Sequence, residues 1–226
     1  MAARESKAAR IARTGRIADT LARLYSDARV TLDFKTPWQL LAATILSAQC
    51  TDERVNIVTP ALFRKYPDAE ATAAADVGEL ERIIATTGFF RQKARSLESA
   101  ATEIVERHRG EVPTAMEELV KLRGVGRKTA NVVLGHAYGM PGIAVDTHVT
   151  RVSRRLGLTR ETDPDKIEAA LCGLLPSERW TAFSMRLILH GRRVCVARKP
   201  RCAECALLTD CSRIGVRGPI GQITAN

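Results

Sequence analysis

The run Leu119-Val-Lys-Leu122-Arg123-Gly124-Val125-Gly126-Arg127-Lys128-Thr129-Ala130-Asn131 leaves the chain few ways to fold. A helical pattern that finishes with Glu118, Leu119 and Leu122 is followed at once by another that begins with Ala130, Val133 and Leu134. A Gly-Val-Gly turn is too short to be an ordinary loop, so the two helices must form a hairpin. Its glycines permit backbone angles and close approaches that a Cβ forbids. Such a turn presents free amide N–H groups at a helix start, which is a ready anion site. Arg123, Arg127 and Lys128 surround it with positive charge. The stretch reads as a grip on a nucleic-acid phosphate.

The rest of the chain supports a polyanionic partner. Its 226 residues carry 35 Lys and Arg against 25 Asp and Glu, a net charge of +10. That balance points to nucleic acid or an anionic membrane. No run of about 20 apolar residues appears, so no transmembrane helix is expected. The N-terminus lacks the apolar core of a secretory signal. Residues 1–16 are rich in Arg and Ala with Glu5 the only acid, as in an organelle transit peptide. Against that, Ile11, Ile17, Leu21 and Leu24 continue as an amphipathic helix, so an intracellular, cytoplasmic protein is predicted.

Helix-start signals recur along the chain, and no period-two pattern of useful length interrupts them. Thr36-Pro37-Trp38-Gln39 joins an N-cap, a Pro at the first helical position and a capping-box Gln. Thr51 to Glu53, Asp76 with Glu79, Thr114 with Glu117, Asp163-Pro164 and Ser177 to Trp180 open further helices. Thr87 to Phe90 is a turn, and Gly139 to Gly142 is the clearest internal break. The segment from about Ile214 reads as a loose tail. The predicted fold class is all-α.

Cys195, Cys202, Cys205 and Cys211 follow the spacing C-x6-C-x2-C-x5-C. Four thiolates this close can ligate a tetrahedral zinc or a four-iron cluster, although zinc knuckles more often use two short C-x2-4-C pairs. Cys50 and Cys172 sit among apolar residues and read as small buried hydrophobes. Between Arg186 and Arg217 eight basic residues face two acidic ones, Glu204 and Asp210. Arg198, Lys199 and Arg201 make the cysteine loop a candidate phosphate contact.

Taken in order, several segments resemble the endonuclease III family of helix-hairpin-helix DNA glycosylases. They are Leu46-Ser-Ala-Gln49-Cys-Thr-Asp52, Thr87-Gly-Phe-Phe90 with Lys93-Ala94, and Gly124-Val-Gly-Arg-Lys128-Thr-Ala-Asn-Val-Val133. Ile143-Ala-Val-Asp146-Thr-His148-Val, Ile188-Leu-His-Gly191, Ala197-Arg-Lys-Pro-Arg-Cys202 and the cysteine spacing complete the set. The resemblance implies two helical domains with the active site in the cleft between them. One is a six-helix barrel with the hairpin, residues 30–140. The other is discontinuous, residues 1–29 and 141–226, with a [4Fe–4S] cluster on the four cysteines.

It also implies an activity: excision of oxidised pyrimidines from double-stranded DNA, then strand cutting at the abasic site. Lys128 would attack the sugar C1′, and the resulting Schiff base would permit β-elimination. Asp146 has a competing reading as the N-cap of the helix from Thr147. By the resemblance it is the catalytic aspartate that stabilises cationic character at C1′. The flipped-out nucleotide leaves a gap. Gln49 matches the gap-filling residue and Phe89 the apolar wedge, often leucine. Arg123, Gly124, Val125, Gly126, Arg127 and His148 are the other implied DNA contacts. Arg123 stands where the family usually has proline, and Cys50 where alanine is more usual.

A monomeric, nucleoid-associated protein of bacterial type follows from the same likeness. The nearest rival is the cluster-bearing adenine glycosylase, which lacks the nucleophilic lysine present here. A non-catalytic, zinc-stabilised DNA-binding module is the alternative of a different class, and it would form no covalent intermediate with DNA.

Overall fold

The computed structural model describes residues 5–216. No strand occurs among them, so the all-α expectation holds. The chain divides into two compact units, Val30–Met140 and the pair of segments Met1–Arg29 with Pro141–Asn226.

The continuous unit contains α2 (Pro37–Leu46), α3 (Asp52–Lys65), α4 (Ala69–Ala73), α5 (Val77–Ile84), α6 (Phe90–His108), α7 (Met116–Leu119) and α8 (Arg127–Ala137). Side chains end these helices where the sequence places them. Thr36, Thr51 and Asp76 each accept the backbone N–H three residues on. Gln39 returns a bond through Oε1 to the Lys35 N–H at 2.9 Å. α2 is buried on nearly every side and packs on α3, α6 and α8. Leu40, Leu41, Leu46, Leu80, Ile84, Leu97, Ile104, Leu119 and Val133 are all fully buried. At about 25 cal/mol per Å² of apolar surface, burial of this kind is the main source of stability.

The discontinuous unit joins α1 (Lys7–Leu24) to α9 (Thr147–Arg155), α10 (Pro164–Cys172) and α11 (Trp180–Arg193). α11 packs against both α1 and α9. Ile17, Leu21, Val149, Val152, Ile167, Leu171, Phe183 and Leu187 form its core. Arg13 ties α1 to the end of the chain, donating to the carbonyls of Leu156 at 2.7 Å and Asp210 at 2.8 Å.

Several local expectations are corrected. The buried face of α1 is Thr14, Ile17, Ala18 and Leu21, while Ile11 and Leu24 are exposed. Ile11 lies six residues from Ile17, out of step with a 3.6-residue period. The helix entering the hairpin is capped by neither Thr114 nor Glu117. The carbonyl that takes its first bonds is that of Ala115, so Thr114 lies one residue outside. That helix stops at Leu119, and Val120 to Leu122 follow partly in tighter i→i−3 turns. Ser177 begins a 3-10 turn, and α11 starts only at Trp180. Cys50 lies past the end of α2 and is only partly buried. The short α4 was not anticipated, although Asp68 caps it by accepting the Ala71 N–H at 2.8 Å. Ile214 is held by its N–H on the Arg155 carbonyl at 3.1 Å, and the rest of the expected tail, 217–226, lies outside the described residues.

Candidate active site

The hairpin is built around a four-residue turn. The Val125 N–H donates to the Leu122 carbonyl at 3.1 Å, and those two residues are buried at 5% and 2% exposure. Between them Arg123 keeps a negative φ and Gly124 takes φ +83°. That is the pattern of a type II turn, which wants Gly at its third position and favours Pro at its second. Gly124 is required twice over. Its φ is one that L side chains rarely adopt, and an added Cβ would lie 3.0 Å from the Ser96 Cβ. Gly126 differs, because a Cβ there would meet no other residue within 4 Å.

Arg123 occupies the proline-favoured position, is exposed, and among the described residues its N–H makes no hydrogen bond. Arg123→Pro would therefore fix φ without losing a bond. It should raise the unfolding free energy by about 0.4–1 kcal/mol through the unfolded chain, measured by urea denaturation. A loss of stability would show that the turn is not of this type.

α8 begins immediately after, with Gly126 as its N-cap and no side-chain cap. No acidic residue sits in that first turn; Arg127 and Lys128 occupy it instead, both exposed. Positive side chains at a helix N-terminus oppose the macrodipole. The arrangement makes sense when an anion completes it.

Two other loops of the same unit carry backbone strain. Gln49, exposed in the bend after α2, has φ 52°, and Phe89, at the start of α6, has φ 47°. Phe89 is 63% exposed, which an apolar core residue would not be. Left-handed angles at non-glycine residues cost on the order of 1–3 kcal/mol and cluster at functional positions.

In the discontinuous unit Asp146 is the N-cap of α9. Its Oδ1 accepts the N–H of both His148 and Val149 at 2.8 Å, and among the described residues Oδ2 accepts none. Capping and a free carboxylate oxygen thus coexist. His148 Nδ1 is 3.0 Å from Arg151 Nη2, a contact in which the guanidinium can only donate. Burial, opposed by Asp146 and aided by Arg151 and Arg192, pushes the His148 pKa below its ordinary value.

Sequence reasoning missed two arginines one turn apart on α9. Arg151 donates to the carbonyls of Cys195 at 3.1 Å and Gly191 at 2.9 Å. Arg155 donates to the carbonyls of Val196 at 2.7 Å and Ala197 at 2.8 Å, and lies 3.5 Å from the Cys195 sulfur. The i, i+4 spacing after Asp146 was the available signal. Together they shape the loop that exposes Arg198, Lys199 and Arg201.

All four cysteines line one small cavity with His190 and Arg155, and none is in a disulfide. Among the described residues no three His, Cys, Asp or Glu side chains are spaced to hold a single metal ion. Burial pushes the Cys205 and Cys211 thiols up. His190 Nε2 is 3.6 Å from the Cys205 sulfur, its Nδ1 is 3.2 Å from the Tyr25 hydroxyl, and burial lowers its pKa to about 4.

An all-helical chain with a glycine hairpin, an exposed lysine on it and a helix-capping aspartate is matched by a class of DNA repair enzyme. The family described as HhH-GPD superfamily base excision DNA repair protein matches residues 42–177, and the chain belongs to that superfamily. Endonuclease III of Synechocystis sp. is 59% identical over 192 residues, covering 84% of this chain and 88% of that protein. Endonuclease III of Bacillus subtilis is 46% identical over 194 residues, covering 85% and 89%. A solved trapped endonuclease III–DNA covalent intermediate is 42% identical with a TM-score of 0.85, covering 90% of this chain and 96% of that one. A thermostable thymine-DNA glycosylase, 23% identical with a TM-score of 0.81 over 89% and 96%, shares the fold. The activity is that of a base excision repair DNA glycosylase and AP lyase. No described helix is long and apolar enough to cross a membrane.

Proposed function

We propose that the chain excises oxidised pyrimidines from double-stranded DNA and cuts the strand through a Schiff base on Lys128. The observation that carries this reading is the position of Lys128, exposed in the first turn of α8 beside an uncapped N-terminus. A phosphate held at that N-terminus, with Arg123 and Arg127 beside it, brings the amine to the sugar next to it. The lysine displaces the base at C1′, and loss of the ring oxygen bond gives an iminium. The iminium acidifies the C2′ proton, and its removal expels the 3′ phosphate. An aspartate or a water cannot supply that route, because only an amine forms the iminium.

Asp146 supplies negative charge for the cationic sugar through Oδ2, while Oδ1 stays on the helix. Gln49 and Phe89 fill the space of the extruded nucleotide. Their exposure and their left-handed backbone support that role. Gly126 has no steric reason within the chain to lack a side chain, which fits a backbone approached closely by DNA. His148, Val125 and the loop of Arg198, Lys199 and Arg201 complete the DNA contacts.

The four cysteines would hold a [4Fe–4S] cluster. Four sulfurs lining one apolar cavity, at the C-x6-C-x2-C-x5-C spacing, support that reading. The cluster would order the basic loop. The protein acts as a cytoplasmic, nucleoid-associated monomer. The test is incubation of brown, cluster-loaded protein with duplex DNA carrying thymine glycol, with borohydride present. A covalent protein–DNA product is expected; a colourless, active zinc protein would overturn the cluster, and no product from loaded protein would overturn the lyase.

A further inference from the structure

Lys93 is a lysine that the chemistry above does not use, and it is only 4% exposed. A buried amine is costly unless something in the fold depends on it. Among the described residues no carboxylate pairs with it. Its Nζ donates instead to the Thr87 carbonyl at 2.7 Å. Thr87 is itself buried, and its hydroxyl donates to the Ile84 carbonyl at 2.8 Å. Thr87 and Gly88, with φ 69°, lead directly into Phe89. The backbone N–H of Lys93 also donates to the Phe89 carbonyl, at 3.1 Å. The residue thus holds the exposed phenyl ring's loop at two points.

Burial lowers the Lys93 pKa.

We propose that Lys93 is a positioning residue that sets the Phe89 loop for insertion into the duplex. Being buried, it touches neither DNA nor the reacting atoms. The proposal rests on the reading of Phe89 as a duplex-filling residue. It explains why a lysine, rather than an apolar residue, occupies the inner face of α6 between Leu97 and the turn.

The test compares substrates that do and do not require a nucleotide to be extruded. Lys93→Met keeps most of the length of the side chain and removes the hydrogen bond. Single-stranded DNA with an abasic site has no stack to enter, so borohydride trapping on it counts competent protein. Lys93→Met should trap on single strands at the wild-type rate and lose about ten- to a hundredfold on duplex thymine glycol. Phe89→Ala, run alongside, should show the same split between substrates. Equal loss on both substrates would mean a damaged fold and overturn the proposal, as would wild-type duplex activity in Lys93→Met. If Phe89→Ala left duplex processing intact, the duplex-filling reading would fail first and take this proposal with it. A split in that variant without one in Lys93→Met would remove Lys93 alone.

Discussion

Lys128→Ala is expected to lose the borohydride-trapped adduct on abasic duplex DNA entirely, with strand cutting down by on the order of 10³-fold or more. Binding to a duplex carrying an uncleavable abasic analogue should fall by less than about tenfold, equivalent to roughly 1.4 kcal/mol. The asymmetry follows from the site. Lys128 is one of several positive groups at the start of α8, and the amides there remain when its side chain is removed. Nothing else in that turn can form an iminium except an amine. The fold should not suffer, because a positive side chain in the first turn opposes the helix dipole. An adduct of normal yield in Lys128→Ala would place the nucleophile elsewhere, and equal losses in binding and trapping would reduce Lys128 to a phosphate contact.

Asp146→Asn should separate two duties of one side chain. Asparagine caps a helix as well as aspartate does, so an amide oxygen in place of Oδ1 keeps the bonds to His148 and Val149. Stability should stay within about 0.5 kcal/mol, whereas Asp146→Ala should cost about 0.5–2 kcal/mol by losing the cap. Base removal should fall in both variants by on the order of 10²–10⁴, because both lose the negative charge. The comparison pairs urea denaturation with release of thymine glycol. A wild-type rate in Asp146→Asn would leave the residue a cap and nothing more.

Helix starts were the most legible part of the sequence, because a cap is a local bond between a side chain and an amide three residues on. Thr36, Thr51, Asp76, Asp146 and Asp163 all cap as read. Thr114 failed because its position relative to the first helical carbonyl depends on how the chain leaves Pro113, which is a matter of packing. The glycine turn was legible for the same local reason as the caps. The need for Gly124 to clear Ser96 was not, since those residues are 28 positions apart and meet only in the fold. Lys93 was hidden by its own helix: its spacing with Leu97 marks the inner face, and only the structure shows what its amine finds there. The Arg151 and Arg155 pair was missed likewise, because their partners are carbonyls, and every residue has one.

That pair gives the nine-residue helix α9 an unusual position. Asp146 binds its first turn, and Arg155, in its last, is fastened to the cysteine loop. The distance is only about 13 Å at 1.5 Å per residue. On the role proposed for Asp146, a loop that lost its shape would take from the helix the carbonyls that hold its far end, and the carboxylate at its near end would no longer be aimed. Incompletely assembled protein would then be inert. For an enzyme that breaks strands, that would amount to a safety catch: competence to cut arriving only with the finished molecule.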